Sequence, residues 1–154
     1  MSLHRVTVDW ALGEGDFLAR EYSRAHTLRF EGGVEVAGSA SPHIVPAPFS
    51  RADAVDPEGA FTASLSACHM LWFLDLASRA GWVAASYRDE AEGTLGRNAA
   101  GKMAMTKVVL RPAVAFTGER RPTAEEIAKL HHAAHEACFI ANSVTTEVVV
   151  VEAR

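Results

Sequence analysis

Residues 56–73 read DPEGAFTASLSACHMLWF, which puts one of the chain's two cysteines inside an apolar helix. Asp56 suits a helix N-cap, Pro57 suits the first turn, where an amide is not needed, and Glu58 suits the positive end of the helix dipole. Phe61, Leu65, Cys68, Trp72 and Leu76 recur at spacings of four, three, four and four, and Met70, Leu71, Phe73 and Leu74 widen the stripe. A helix apolar over most of its circumference belongs in the middle of a fold or against a partner subunit, and Gly81 should end it.

Upstream, Val6, Val8 and Trp10 alternate with polar residues, the period of a half-buried strand. His26–Phe30 and Val34–Val36 flank Gly32-Gly33, which tolerates the positive φ of a hairpin turn, so residues 1–37 read as a small antiparallel sheet. Residues 38–55 hold three of the six prolines and read as a loop. Downstream, 82–95 and 102–116 read as two long strands joined by GRNAAG, with Pro112 marking an edge or bulge. Thr123 with Glu126 is a capping-box signature, opening a second helix over 123–141 that carries Cys138 and ends near Asn142. A last strand is expected within 144–151. The order of elements is that of a single α+β domain over 1–154, with no glycine-rich phosphate loop.

With 154 residues, 49% hydrophobic and 22% charged, the chain can bury a sizeable core without a disulfide or a metal. Its net charge is −4 and its 15 basic residues are scattered, which argues against a nucleic acid partner. No apolar run approaches the roughly 18 residues of a membrane span, and MSLHRVTVDW lacks a signal peptide's apolar core. The expected location is the cytoplasm, where a reactive or transient disulfide is more plausible than a permanent one.

Each cysteine sits on the apolar stripe of its own helix, and core packing accounts for either alone. Together, on two helices that pack, the thiols can share a sheltered pocket. There a first thiolate can attack an electrophile such as a peroxide, and a second can condense with the sulfenic acid before over-oxidation. Cys68 lies about twelve residues beyond the helix start, too far for the dipole to activate it, so a cation is required. Arg20, Arg24, Arg29 and Arg51 are the candidates. Glu58 precedes Cys68 by ten residues, about 15 Å along an unbroken helix. To contribute, it needs a break near Gly59, a symmetry mate's helix, or a bridging arginine, which is preferred. Trp72 and Phe73, about a turn beyond Cys68, with Phe61 and Phe139, are candidate linings of an apolar substrate pocket.

His131, His135 and Cys138 are spaced at four and three, and His69 follows Cys68, so a zinc site is an alternative. The HExxH order is absent, and half-exposed or hydrogen-bonding histidines are the preferred reading.

The chain resembles the OsmC/Ohr family, osmotically inducible and organic hydroperoxide resistance proteins, and is closer to a less characterised OsmC-like subgroup. The likeness rests on Asp56-Pro57-Glu58 with Cys68 ten residues beyond the Glu, and on Ala134-His135-Glu136-Ala137-Cys138. It departs from better-known branches after Cys138, where Phe139 stands in place of Pro. The resemblance implies an α+β fold with two long central helices packed against antiparallel sheets, in an intertwined homodimer with sites at the interface. It implies a peroxidase for organic hydroperoxides, with Cys68 as peroxidatic nucleophile, Cys138 as resolving cysteine, and Glu58 holding an arginine, here Arg24. No bound cofactor or metal is implied; the reductant is an external thiol or dithiol, lipoyl in some members. A non-catalytic protein that binds a small apolar ligand or senses redox state is the other reading.

Overall fold

Asp56 caps the long helix α1 (Pro57–Arg79): its Oδ1 accepts the Gly59 N–H at 2.6 Å. At the other end Gly81 takes φ +80°. The Trp82 N–H reaches the Ala77 carbonyl at 2.9 Å and the Gly81 N–H reaches that of Ser78 at 3.0 Å, a Schellman closure. The computed structural model describes residues 1–151. The chain divides into two compact units, Met1–Ala60 and a second that begins at Phe61, so the boundary falls in the first turn of α1.

In the first unit, β1 (Val6–Asp9) pairs with β4 (His26–Phe30), and β4 with β5 (Glu35–Gly38), in an antiparallel sheet of order β1-β4-β5. The hairpin turns at Gly32-Gly33, both at positive φ. Between β1 and β4 lies a short ladder of β2 (Gly15–Asp16) with β3 (Glu21–Tyr22), which the sequence pattern does not announce. All four residues of β1 are exposed, where alternation predicts one buried face. Within its own unit this edge strand has no layer to cover it.

The second unit holds β6 (Val83–Asp89), β7 (Glu92–Arg97), β8 (Met103–Leu110), β9 (Pro112–Thr117), α2 (Ala124–Ala137), a 3-10 turn (Ala141–Ser143) and β10 (Glu147–Val150). The two long strands expected at 82–95 and 102–116 are each broken, and the hairpin divides into a β6-β9 ladder and a sheet of order β10-β8-β7. The break has a local cause in the Asp89 carboxylate. It accepts the Arg111 N–H at 2.6 Å and the Ser66 hydroxyl at 2.5 Å, while Pro112, which has no N–H, pairs opposite Asp89 as the first residue of β9. β10 runs parallel to β8, the one exception among the described ladders to an otherwise antiparallel pairing.

Helices and antiparallel ladders thus pack as an α+β fold. Phe73 and Ala77 of α1 meet Phe116 and Ala134 in one core cluster, and Leu65 meets Val108 and Leu110 in the other. The buried row of α1 is therefore Leu65, His69, Phe73 and Ala77. Of the expected row, Leu65 is buried, Phe61, Trp72 and Leu76 pack against the core only in part, and Cys68 faces the pocket, because a helix apolar nearly all round carries no unique phase and the row that wins includes a histidine. At 23 residues with a mean hydropathy of 1.2 in its most apolar window, α1 is long and apolar enough to cross a membrane. That corrects the expectation that no segment would be; here it supplies core residues to the second unit.

His69 is 1% exposed, and its Nε2 lies 3.0 Å from Nδ1 of His131 on α2, which is also buried. The rings are within 7° of parallel, and His131 also stacks on Phe73 at 4.3 Å between centroids. Burial pushes both imidazoles down from 6.5 to about 4; His135 adds to the effect at His69, where Asp89 opposes it, and His69 adds to it at His131.

Two expectations follow from these contacts. Thr123 caps α2 through a reciprocal box with Glu126, so Thr123→Ala should cost about 1 kcal/mol in urea denaturation. The unfolded chain holds its histidine protons below pH 6.5, whereas the folded pair refuses them until about pH 4. Stability from the pair is complete above pH 6.5 and is lost as pH falls towards 4, so the urea midpoint should drop across that window by more in the native chain than in His131→Asn.

Candidate active site

α2 ends one residue before Cys138, which is its C-cap at φ −67°, ψ 110°, so the helix does not run on to residue 141 as expected. The departure is stabilised locally. The Asn142 side-chain amide donates to the Glu136 carbonyl at 2.9 Å, and the Asn142 N–H donates to that of Cys138 at 3.0 Å, supplying helix-end carbonyls with donors. The Ala141 N–H points to the Cys138 sulfur at 3.4 Å.

This ending turns Phe139 and Ile140 back towards α1, where with Ser64, Cys68, Leu71 and Trp72 they line an open pocket of about 600 Å³ in the second unit. Trp72 and Phe139 meet edge to face at 5.3 Å and 87°. Asp75 and Arg79, ion-paired at 3.0 Å, stand at the far end. Of the aromatics named from sequence, Trp72 and Phe139 line this pocket. Phe73 lies wholly buried against Tyr87, Phe116 and His131, and Phe61 packs on the Leu65 cluster, because each falls on a different face of α1. Leu71, Asp75 and Arg79 were missed. Steps of three and four from Cys68 along α1 reach all three, so helical spacing was the signal available.

Both cysteines are reduced. Cys68 is partly exposed and lines the pocket; Cys138 is 1% exposed and does not. Burial first, then the neighbouring Cys68 thiol, pushes Cys138 up to about 11, against the opposing Ala141 and Ile140 N–H groups. At neutral pH Cys138 therefore keeps its proton and can donate it to the Cys68 sulfur. The arrangement offers a ligand one accessible sulfur with a protonated thiol behind it.

Glu58 and Arg24 belong to the first unit. Glu58 stands in the first turn of α1, which is unbroken at Gly59, so the helix break weighed from sequence does not occur. Arg24 donates through Nη1 to the Arg20 carbonyl at 2.8 Å and to that of Tyr22, and its guanidinium lies 3.8 Å from the Tyr22 ring centre. Arg29 pairs with Asp9 and Glu35, and Arg51 with Asp53 at 2.8 Å. Among those three arginines, Arg24 is the one held by neutral groups.

The zinc alternative finds no support in the geometry. His131 directs Nδ1 to His69, and among the described residues no group of three or more His, Cys, Asp or Glu is placed to hold a metal.

Residues 50–153 match the family model for OsmC-like protein. In structure the chain is similar to an OsmC-like protein of unknown function from Vibrio cholerae O1 biovar eltor, with 51% identity over 99% of this chain and 100% of that one, and a TM-score of 0.98. It shares its fold with an organic hydroperoxide resistance protein from Elizabethkingia anophelis, at 18% identity over 100% and 97% of the two chains and a TM-score of 0.74. It shares it also with OhrB, the organic hydroperoxide resistance protein of Bacillus subtilis, at 17% identity over 99% and 98% and a TM-score of 0.68. No curated protein matches the chain in sequence. With its two thiols in contact beside an apolar pocket and a family model matched over most of its length, the chain belongs to the OsmC-like family.

Proposed function

We propose that this protein is a thiol-dependent peroxidase that reduces organic hydroperoxides to alcohols through a Cys68 sulfenate and a Cys68–Cys138 disulfide. The observation that carries the reading is the accessible Cys68 on an apolar pocket, in contact with a buried, protonated Cys138. In the first step the Cys68 thiolate attacks the outer oxygen of the hydroperoxide. The O–O bond breaks, Cys68 becomes a sulfenic acid, and the alkoxide leaves as the alcohol after taking a proton. In the second, the Cys138 sulfur attacks the sulfenic acid sulfur, the S–O bond breaks, and the hydroxyl leaves as water with the Cys138 proton. An external thiol or dithiol, lipoyl-bearing by family likeness, then reduces the disulfide by exchange.

Arg24 is the proposed cation that favours the thiolate and the developing charge, with Glu58 orienting it. Trp72 and Phe139 hold the organic group, with Phe73 behind Trp72 and Phe61 at the start of α1 acting through packing. The working unit is a homodimer with its sites at the interface, located in the cytoplasm, and it takes no part in nucleic acid or membrane binding. Its support is exposure: Leu71 and Phe139, at 63% and 69%, leave large apolar side chains open beside Cys68, as β1 does with Val6 and Val8.

Consumption of cumene hydroperoxide with excess dithiol, followed beside Cys68→Ser, tests the reading. The variant should fall to the uncatalysed rate; equal rates would leave a non-catalytic, ligand-binding or redox-sensing protein. Treated with hydroperoxide in the absence of reductant, Cys138→Ser should consume a first equivalent to form the Cys68 sulfenic acid and a second to form the sulfinic acid, seen by intact mass as two added oxygen atoms. Phe139→Ala should raise KM roughly tenfold, about 1.4 kcal/mol, with kcat changed less, as expected when a contact serves binding rather than chemistry.

A further inference from the structure

The thiol pair depends on how α1 and α2 sit against each other, and two contacts between these helices are chemically specific. One is the Cys68–Cys138 contact. The other is the buried imidazole pair, His69 one residue beyond Cys68 and His131 seven residues before Cys138. The apolar contacts of the crossing, Phe73 and Ala77 with Ala134, lose little when helices slide by a fraction of an ångström. An N–H···N bond is directional and weakens steeply with misalignment.

The two contacts nearly coincide along α1 but lie about 10 Å apart along α2. The histidine pair is then a pivot and the following turns of α2 a lever. A tilt of about 6° about it carries Cys138 roughly 1 Å, a displacement large enough to matter for a reacting pair.

We propose that the His69–His131 hydrogen bond sets the register of α1 against α2 and with it the separation of the Cys68 and Cys138 sulfurs, making both histidines positioning residues for the disulfide step. The inference rests on the two-thiol reading above. Tautomer logic supports a single arrangement. His69 Nδ1 is buried and has no partner among the described residues, and a bare acceptor there is less costly than an orphaned N–H. His69 therefore carries its proton on Nε2 and donates it to His131 Nδ1, and His131 holds its own proton on Nε2. Stacking on Phe73 fixes the His131 ring plane, so the acceptor faces one direction. His69 feels Asp89 of β6 and His135 of α2, and a neutral pair satisfies its own central bond without calling on them.

Equilibrating the purified protein with oxidised and reduced dithiothreitol measures the register directly. The two thiols lose two hydrogens to form the disulfide, and the cyclic oxidant gains them. His131→Phe fills the volume and keeps the stacking but offers no acceptor. It should lower the equilibrium constant for the disulfide about tenfold, equivalent to about 30 mV for this two-electron couple. His131→Asn, whose side-chain oxygen takes the place of Nδ1, should return it to within about threefold of the native value. Thr123→Ala, which weakens α2 at its other end, should leave it unchanged. A folded His131→Phe with the native constant overturns the proposal. If that variant does not fold, His69→Met against His69→Gln makes the same comparison. In the native protein, nitrogen–nitrogen coupling across the hydrogen bond should be seen between His69 and His131 by NMR, and its absence also overturns the proposal. Because no peroxide enters these measurements, a protein without peroxidase turnover that still shows the tenfold effect would sink the function proposed above and leave the positioning role standing.

Discussion

An imidazole buried in an apolar crossing must find a partner, and here the partner lies on another helix. His69 occupies the centre of the buried row of α1, between Leu65 and Phe73, and His131 meets it from α2 at 3.0 Å. Leaving either ring unpaired in that interior costs on the order of 1–3 kcal/mol. The two helices are therefore tied in one register, and the remaining geometry follows. Cys68, one residue before His69, points about 100° away from the buried row and so towards the pocket.

The end of α2 completes that pocket. Had the helix continued through Cys138, Phe139 would project about 100° from it, and successive residues would carry the chain on along the axis. Instead Cys138 adopts an extended conformation, Asn142 supplies donors to the carbonyls of Glu136 and Cys138, and Phe139 comes to rest on Trp72. One helix terminus thus buries a thiol and builds an apolar wall. The same burial that makes Cys138 a good core residue holds its proton on, at about 11.

What was legible in the sequence was mostly local. Asp56 as a cap, Gly81 as a stop, the Thr123–Glu126 box and the Gly32-Gly33 hairpin all act within a few residues, and each appears where its chemistry requires. The α+β class was legible too, in the order of the elements, and the family in the resemblance carried by Asp56-Pro57-Glu58 with Cys68 and by Ala134-His135-Glu136-Ala137-Cys138. The phase of α1 was not. Its pattern admits several buried rows, and the decisive side chain, His69, is polar and gains its place only through His131, 62 residues away. Nor were the breaks at Asp89 and Arg111 visible, since they come from one carboxylate bridging strand and helix. Pro112 hinted at the spot without giving its cause. At the site, Trp72 and Phe139 are legible as aromatics close to the cysteines, while Leu71, Asp75 and Arg79 carry no such chemical signal and reach the pocket only through the phase of α1.

On the proposed function, the unequal burial of the two sulfurs accounts for their order of reaction. A bulky hydroperoxide entering from the pocket meets Cys68, whereas reaching Cys138 would require opening the packing around a side chain that is 1% exposed. The reverse assignment fails on electrostatics as well as on access. Attack on the hydroperoxide calls for a thiolate, and burial holds Cys138 in its protonated form at neutral pH, so on the proposed reading Cys138 reacts only where a sulfenic hydroxyl can carry its proton away as water. For the second step that same character is an advantage. Cys138 needs only to meet a sulfenate already delivered to its side, and a thiol screened from the pocket is not consumed by the hydroperoxide before that moment. Under that proposal two cysteines of one chemistry take different roles because Cys68 faces the pocket and Cys138, at the end of α2, is buried.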